Sequence, residues 1–120
     1  MEGQLLHGHN HEVCCVALSR SNAHVASGSE GGSIIIHSTS SNNVEYRADD
    51  GFSHYVNGLC FLPNGSLVAC GYGEGGRLKI FSPSLELVQT LVGHNGNVFC
   101  VTISPSGSHF ASGDGDGKVM

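Results

Sequence analysis

The sequence predicts an all-β fold assembled from repeated four-stranded antiparallel units. Short apolar runs, rich in β-branched and aromatic residues and bounded by Gly, Asn and Ser, have the composition of strands and tight turns. Such runs recur at a fixed spacing: Val13–Leu18, Val56–Phe61 and Val98–Ile103 begin 43 and then 42 residues apart. No segment sustains a period of about 3.6 residues long enough for a helix.

Each unit reads as strand, turn, strand, glycine turn, strand. In the first, Val13–Leu18 is followed by a polar turn, His24–Gly28, Ser33–Ser38 and a fourth strand near Asn43–Arg47. The second runs Val56–Phe61, a turn at Leu62–Gly65, then Ser66–Gly71, Arg77–Ser82 and Glu86–Leu91. The third runs Val98–Ile103, a turn at Ser104–Gly107, Ser108–Gly113 and the start of a strand at Lys118–Met120. Residues 1–120 are thus one repeat domain, with units at roughly 7–47, 48–91 and 92–120, the last incomplete.

Composition narrows the function. Charged residues are 12% of the chain, Gly 18 residues and Pro 3, which fits strands with tight turns rather than a disordered tail. The formal net charge is -5, and Arg20, Arg47, Arg77, Lys79 and Lys118 are scattered. No basic stripe tracks phosphates, which argues against nucleic acid or an anionic membrane as the primary partner. The apolar runs are too short to span a bilayer, and the first residues lack the pattern of a signal peptide. Cys14, Cys15, Cys60, Cys70 and Cys100 show no CxxC spacing, and all lie in or beside apolar strand-like runs. They read as buried free thiols of an intracellular protein, with the cytoplasm favoured. Asn64-Gly65-Ser66 spells a glycosylation acceptor, but Asn-Gly between two strands reads as a hairpin turn.

The spacing falls in the ~40–45 residue period of propeller blades, and several motifs resemble the WD40-repeat family. Gly8-His9 and Gly93-His94 are similar to the family's Gly-His pair, each His four residues before a strand. Ala26-Ser27-Gly28-Ser29 and Ala111-Ser112-Gly113-Asp114 resemble its second strand and following turn. Leu87–His94 resembles the outer strand running into the next Gly-His. The resemblance implies a β-propeller of four-stranded antiparallel blades. A closed ring takes ~4–8 blades, so fewer than three read as a fragment of a larger propeller or a truncated gene model. Its open edges would favour aggregation.

The resemblance also implies a hydrogen-bonded network of His, Ser/Thr, Asp and Trp in each blade. His94, Ser112 and Asp116 match it in the third unit, whose Trp position falls beyond Met120. His9 and Ser27 match it in the first, but Gly31 stands where the Asp should be. Phe52 replaces the second unit's His, and His37-Ser38 and Phe81-Ser82 replace the Trp-Asp pair. The first two blades are therefore expected to rely on packing alone.

Catalytic motifs do not survive their context. Gly71–Gly76 spells GxGxxG, but a strand follows where a dinucleotide site needs a helix. Gly115-Asp116-Gly117-Lys118 resembles a phosphate loop, yet Val119 replaces the magnesium-binding hydroxyl. Asp114 and Asp116 lack a Glu at the spacing of a calcium loop. His7, His9 and His11 alternate and could face one way toward zinc, but the Gly-His pair claims His9. His94, Ser112 and Asp116 have the residue types of a hydrolase triad, and the resemblance makes them structural. No cofactor, metal or small-molecule ligand is expected.

The WD40 resemblance implies a non-catalytic scaffold that binds proteins through its loops. Loop positions before the inner strands are Asn10–Glu12, Asp49–Tyr55 and Asn95–Asn97. The most binding-like patch is Asp49-Asp50 with Phe52 and Tyr55, acidic with aromatic anchors. Alternatives are a propeller domain of a larger enzyme or of an RNA-processing complex, although RNA contact would want a basic face. Ala26–Ser29 with Ile34–Ser38 is also similar to a blade of centrosomal WD40 adaptors of the γ-tubulin ring complex, which implies a microtubule-nucleation adaptor.

Overall fold

The computed structural model describes residues 5–49, 51–52, 54–71, 77–94, 96–115, 117 and 119. Among them, ten β-strands form three antiparallel sheets. The first holds β1 (Val13–Leu18), β2 (His24–Ser29), β3 (Ile34–Ser38) and β4 (Val44–Ala48), in that spatial order. The second holds β5 (Val56–Phe61), β6 (Leu67–Gly71), β7 (Arg77–Phe81) and β8 (Leu87–Val92), again in order. The third pairs β9 (Val98–Ile103) with β10 (Phe110–Asp114), and Val119 adds a bridge to Gly113. The strands fall within a residue or two of those expected.

Repetition extends to fine geometry. Asn22 (φ 63°), Gly65 (φ 88°) and Gly107 (φ 78°) hold the same place in the hairpins after β1, β5 and β9. Their N–H groups return to the carbonyls of Ser19, Leu62 and Ser104 at 2.9, 3.0 and 2.9 Å. Left-handed backbone favours Gly and Asn, so the turn chemistry explains these residues. Hydroxyl pairs Ser19–Ser21, Ser38–Ser40, Ser82–Ser84 and Ser104–Ser106 tie four of the turns. In the hairpin after β5, Asn64 Oδ1 accepts from the Ser66 N–H at 3.0 Å. A bulge interrupts each inner pairing near its start: Val13/Cys15, Val56/Gly58 and Gly113/Asp114.

The sheets stack face to face along their inner strands β1, β5 and β9. The seam between the first two is the main core: Ala26, Ile34 and Ile36 meet Val56, Leu59, Phe61, Leu67 and Ala69. A smaller seam joins the second and third sheets through Cys70, Leu78 and Val98. Burying each large aliphatic side chain is worth about 1.5–3 kcal/mol, so these seams stabilise the stack more than any single turn.

Two of the expected buried thiols are exposed. Cys60 and Cys70 are buried and Cys15 is half-buried, whereas Cys14 and Cys100 face solvent; all five are free. An apolar run does not say which face a residue takes. Successive side chains alternate, and the bulges set the phase. Cys15 and Ala17 pack against the first seam, and Val98 and Val101 belong to the second. Cys14 and Cys100 therefore fall on the opposite faces.

Candidate functional site

Gly93-His94 follows the outer strand β8 and delivers an imidazole onto β10. His94 Nε2 lies 2.7 Å from Ser112 Oγ, and Nδ1 lies 2.7 Å from Asp114 Oδ2. A carboxylate only accepts, so Nδ1 carries the proton on that side. The side chains of His94 and Asp114 are 2% and 0% exposed, so water does not compete with the pair. The expected carboxylate, Asp116, lies outside the described residues. Asp114 holds the imidazole, because the bulge at Gly113/Asp114 shifts the register and re-aims this side chain.

The first blade is corrected more fully. It does not rely on packing alone. His9 Nε2 lies 2.7 Å from Ser27 Oγ and Nδ1 lies 3.2 Å from Ser33 Oγ. Ser33 Oγ is itself 2.7 Å from Ser29 Oγ. Two serines thus stand in for the carboxylate missing at Gly31, and Ser29 occupies the strand position that Asp114 holds in the third blade. No sequence signal marked Ser33, because it belongs to the next strand's approach. Both ring nitrogens of His9 face hydroxyls, which removes it from any zinc set with His7 and His11. No group of three or more potential metal ligands occurs among the described residues.

His37, in the Trp position, is 2% exposed. Its Nε2–H donates to the His7 carbonyl at 2.7 Å, and Nδ1 has no partner among the described residues. Arg47 Nη2 donates to the Gly8 carbonyl at 2.6 Å. The 7–9 segment is therefore strapped across the first blade by two imidazoles and one guanidinium.

The strap has a pH dependence of definite sign. Burial, then the charges of Arg47 and His37, hold the His9 pKa below its ordinary 6.5. The unfolded chain binds the extra proton first, so stability is full above pH 6.5 and falls as pH drops toward the folded pKa. Thermal melts between pH 8 and 5.5 are expected to show a declining Tm, and His9→Gln is expected to flatten that decline. An unchanged slope in the variant would remove His9 from the account.

The second blade abandons polar chemistry at this position. Phe52 stands where the other blades have His, and Cys70 where they have Ser27 and Ser112. Phe52 is 3% exposed and belongs to the main core. A Cβ on Gly71 would lie 2.5 Å from Phe52 Cδ1, so only glycine leaves room for the ring. Lys79 Nζ sits 4.7 Å from the ring centroid and donates to the Gly51 carbonyl at 2.8 Å. Phe52 is thus a core residue and not the partner anchor expected from its loop. Repeat alignment had already placed it in the His position, which was the better signal.

The remaining loop residues form an acidic rim. Asp49, with a 71% exposed side chain, pairs with Arg47 at 2.7 Å. Asp50 lies outside the described residues. Tyr55 is 42% exposed. The charge of Glu30 is the main cause of a raised Tyr55 pKa, with slight burial, Cys14 and Glu12 adding to it. Glu30 N–H bonds the Glu12 carbonyl at 2.8 Å, which brings these two acidic residues together beside the phenol. Glu30 was not singled out in the sequence, because it comes from the hairpin after β2 and meets the rim only in the folded sheet.

A small apolar cavity of about 160 Å³ borders His94 and Ser112, but the serine itself is enclosed. Ser112 lies mid-strand, opposite Val101, and is 4% exposed. Burial pushes the Cys15 and Cys70 thiols up to about 12 and Cys60 to about 11, far from a reactive thiolate. GxGxxG at 71–76 falls largely outside the described residues, and Arg77–Phe81 after it is the expected strand.

Comparison with known proteins accords with this geometry. The family model described as "WD domain, G-beta repeat" matches residues 2–38, 47–82 and 85–120. The third match takes in β8 together with β9 and β10, so that repeat unit straddles two sheets. The human protein named "Intraflagellar transport protein 122 homolog" is 35% identical over 72 residues, which is 59% of this chain and 6% of that protein. A solved structure titled "Structure of U3-55K" superposes with a TM-score of 0.79 at 25% identity, covering 93% of this chain and 34% of that one. The chain therefore spans only a small part of either protein's length. Three repeat matches across nearly the whole sequence, on stacked four-stranded antiparallel blades, place the chain in the WD40 family.

Proposed function

We propose that this chain is a non-catalytic scaffold whose acidic loop rim receives a basic segment of a protein partner. WD40 propellers act as platforms for protein–protein interaction, and a rigid sheet stack presenting loops is the physical basis of that role. One observation carries the finer reading: Glu12 and Glu30 lie beside the exposed Tyr55, and Asp49 lines a neighbouring recess with His11 and Gly31. Carboxylates steer a cationic partner, and a solvent-facing phenol gives it an apolar anchor. Free buried thiols at Cys60 and Cys70 support an intracellular setting. The pair that carries the likeness to centrosomal adaptors, His37-Ser38, serves here in an internal hydrogen bond from His37. That gives those residues a local structural use, and the likeness adds no partner surface.

The test is a titration of a fluorescein-labelled, lysine-rich dodecapeptide into the full chain. Saturable binding that weakens with salt is expected. Glu30→Lys together with Asp49→Lys should abolish it, and Tyr55→Ala should weaken it. Binding that ignores both charge reversals, or no binding at low salt, rejects the acidic rim as the partner site.

A further inference from the structure

A second surface lies between the first two blades, at the end opposite the acidic rim. There the hairpins after β1 and β5 and the outer strand β4 enclose a cleft of about 370 Å³. Its floor is apolar: Ile36 and Phe61 line it and are otherwise buried at 2% and 5% exposure. Tyr46, 42% exposed on β4, forms one wall, and Pro63 of the β5 hairpin forms another. His24 and Glu45 pair at 3.0 Å along the side.

Arg20 closes the inner end. Its Nη2 donates to the Pro105 carbonyl in the third blade's hairpin at 2.7 Å, which fixes the guanidinium at the cleft. Among the described residues it forms no ion pair, in contrast to Arg47, which pairs with Asp49, and the carboxylate that shares the cleft, Glu45, pairs with His24. An anchored guanidinium without an ion pair at the edge of an apolar floor offers a site for a group that is both acidic and apolar. Arginine's donors suit a carboxylate, and one is already pinned, so the remaining fork is preorganised.

We propose that this cleft binds a linear peptide that places an apolar side chain over Ile36 and Phe61 and an acidic side chain against Arg20. The volume lies at the lower end of ligand sites, which span about 300–1,000 Å³, and suits one or two side chains rather than a folded surface. Among the described residues β4 is the outermost strand of its sheet, so its outer edge offers main-chain hydrogen bonds to an extended segment alongside Tyr46. The site is separate from the acidic rim and selects ligands of the opposite charge.

A series of fluorescein-labelled octapeptides, each with one Phe and one Asp separated by zero to four alanines, tests this in the full chain by polarisation. At least one member is expected to bind saturably below about 1 mM. Arg20→Glu should weaken that peptide about tenfold or more, as should exchanging its Asp for Lys. Because Arg20→Glu also breaks the contact to Pro105, Tyr46→Ala serves as a second variant and should weaken binding with Arg20 in place. Asp49→Lys, on the rim, should leave it unchanged. Absence of saturable binding across the series overturns the proposal. So does binding that survives both Arg20→Glu and Tyr46→Ala, or that does not distinguish Asp from Lys in the peptide.

Discussion

Phe52→Ala is expected to lower the unfolding free energy by about 3–5 kcal/mol, read as a fall in the urea midpoint at constant m-value. Phe52 is 3% exposed and fills the space that Gly71 leaves open. Alanine there removes a ring that touches both the core and Lys79, and leaves a cavity that a sheet cannot close without moving β5 or β6. Phe52→Leu should cost less, because it keeps most of the volume. Phe52→His should not rescue the blade, although His is the family residue. Cys70 stands here in place of the hydroxyl that receives the imidazole elsewhere, and the Lys79 ammonium lies 4.7 Å from the ring centroid. The partner residues have changed together, so restoring one restores nothing. A loss under about 1 kcal/mol for Phe52→Ala would mean that the loop, and not the core, holds this ring.

Asp114→Ala is expected to cost about 2–3 kcal/mol. The carboxylate bonds His94 Nδ1 at 2.7 Å with neither side chain open to water, so its removal strands a buried N–H. Asp114→Asn keeps an acceptor and should cost less. The comparison also decides between neighbours. Repeat alignment points to Asp116, whereas the geometry gives the bond to Asp114. If Asp116→Ala destabilises as much and Asp114→Ala does not, the carboxylate role returns to the aligned position.

These two positions show what the sequence could and could not convey. The strands, their order and the blade period were legible, because alternation, turn residues and a repeat of 43 and 42 residues are local properties of the chain. His9 with Ser27 and His94 with Ser112 were legible for the same reason, since matching places in each repeat fold to matching places in space. Asp114 was not, because a bulge changes register without changing the residue count. Ser33 and Ser29 were not, because hydroxyls replacing a carboxylate leave no familiar pattern. Phe52 carried two readings at once, an exposed aromatic anchor and a substitute for a buried His, and only packing against Gly71 separates them. The cleft at Arg20 was invisible, since its walls come from hairpins and strands of two sheets.

Ser112, His94 and Asp114 pose the sharpest question, because their spacings of 2.7 and 2.7 Å are also those of a hydrolase triad. The central claim is that they clamp a loop to a strand and that the chain acts as a scaffold. Treatment of the folded chain with a fluorophosphonate, followed by peptide mass spectrometry, tests it most directly. No adduct on Ser112 is expected, because it is 4% exposed mid-strand and the cavity beside it, about 160 Å³, is small. Stoichiometric labelling of Ser112 that disappears in His94→Ala would contradict the account and make this trio a catalytic site.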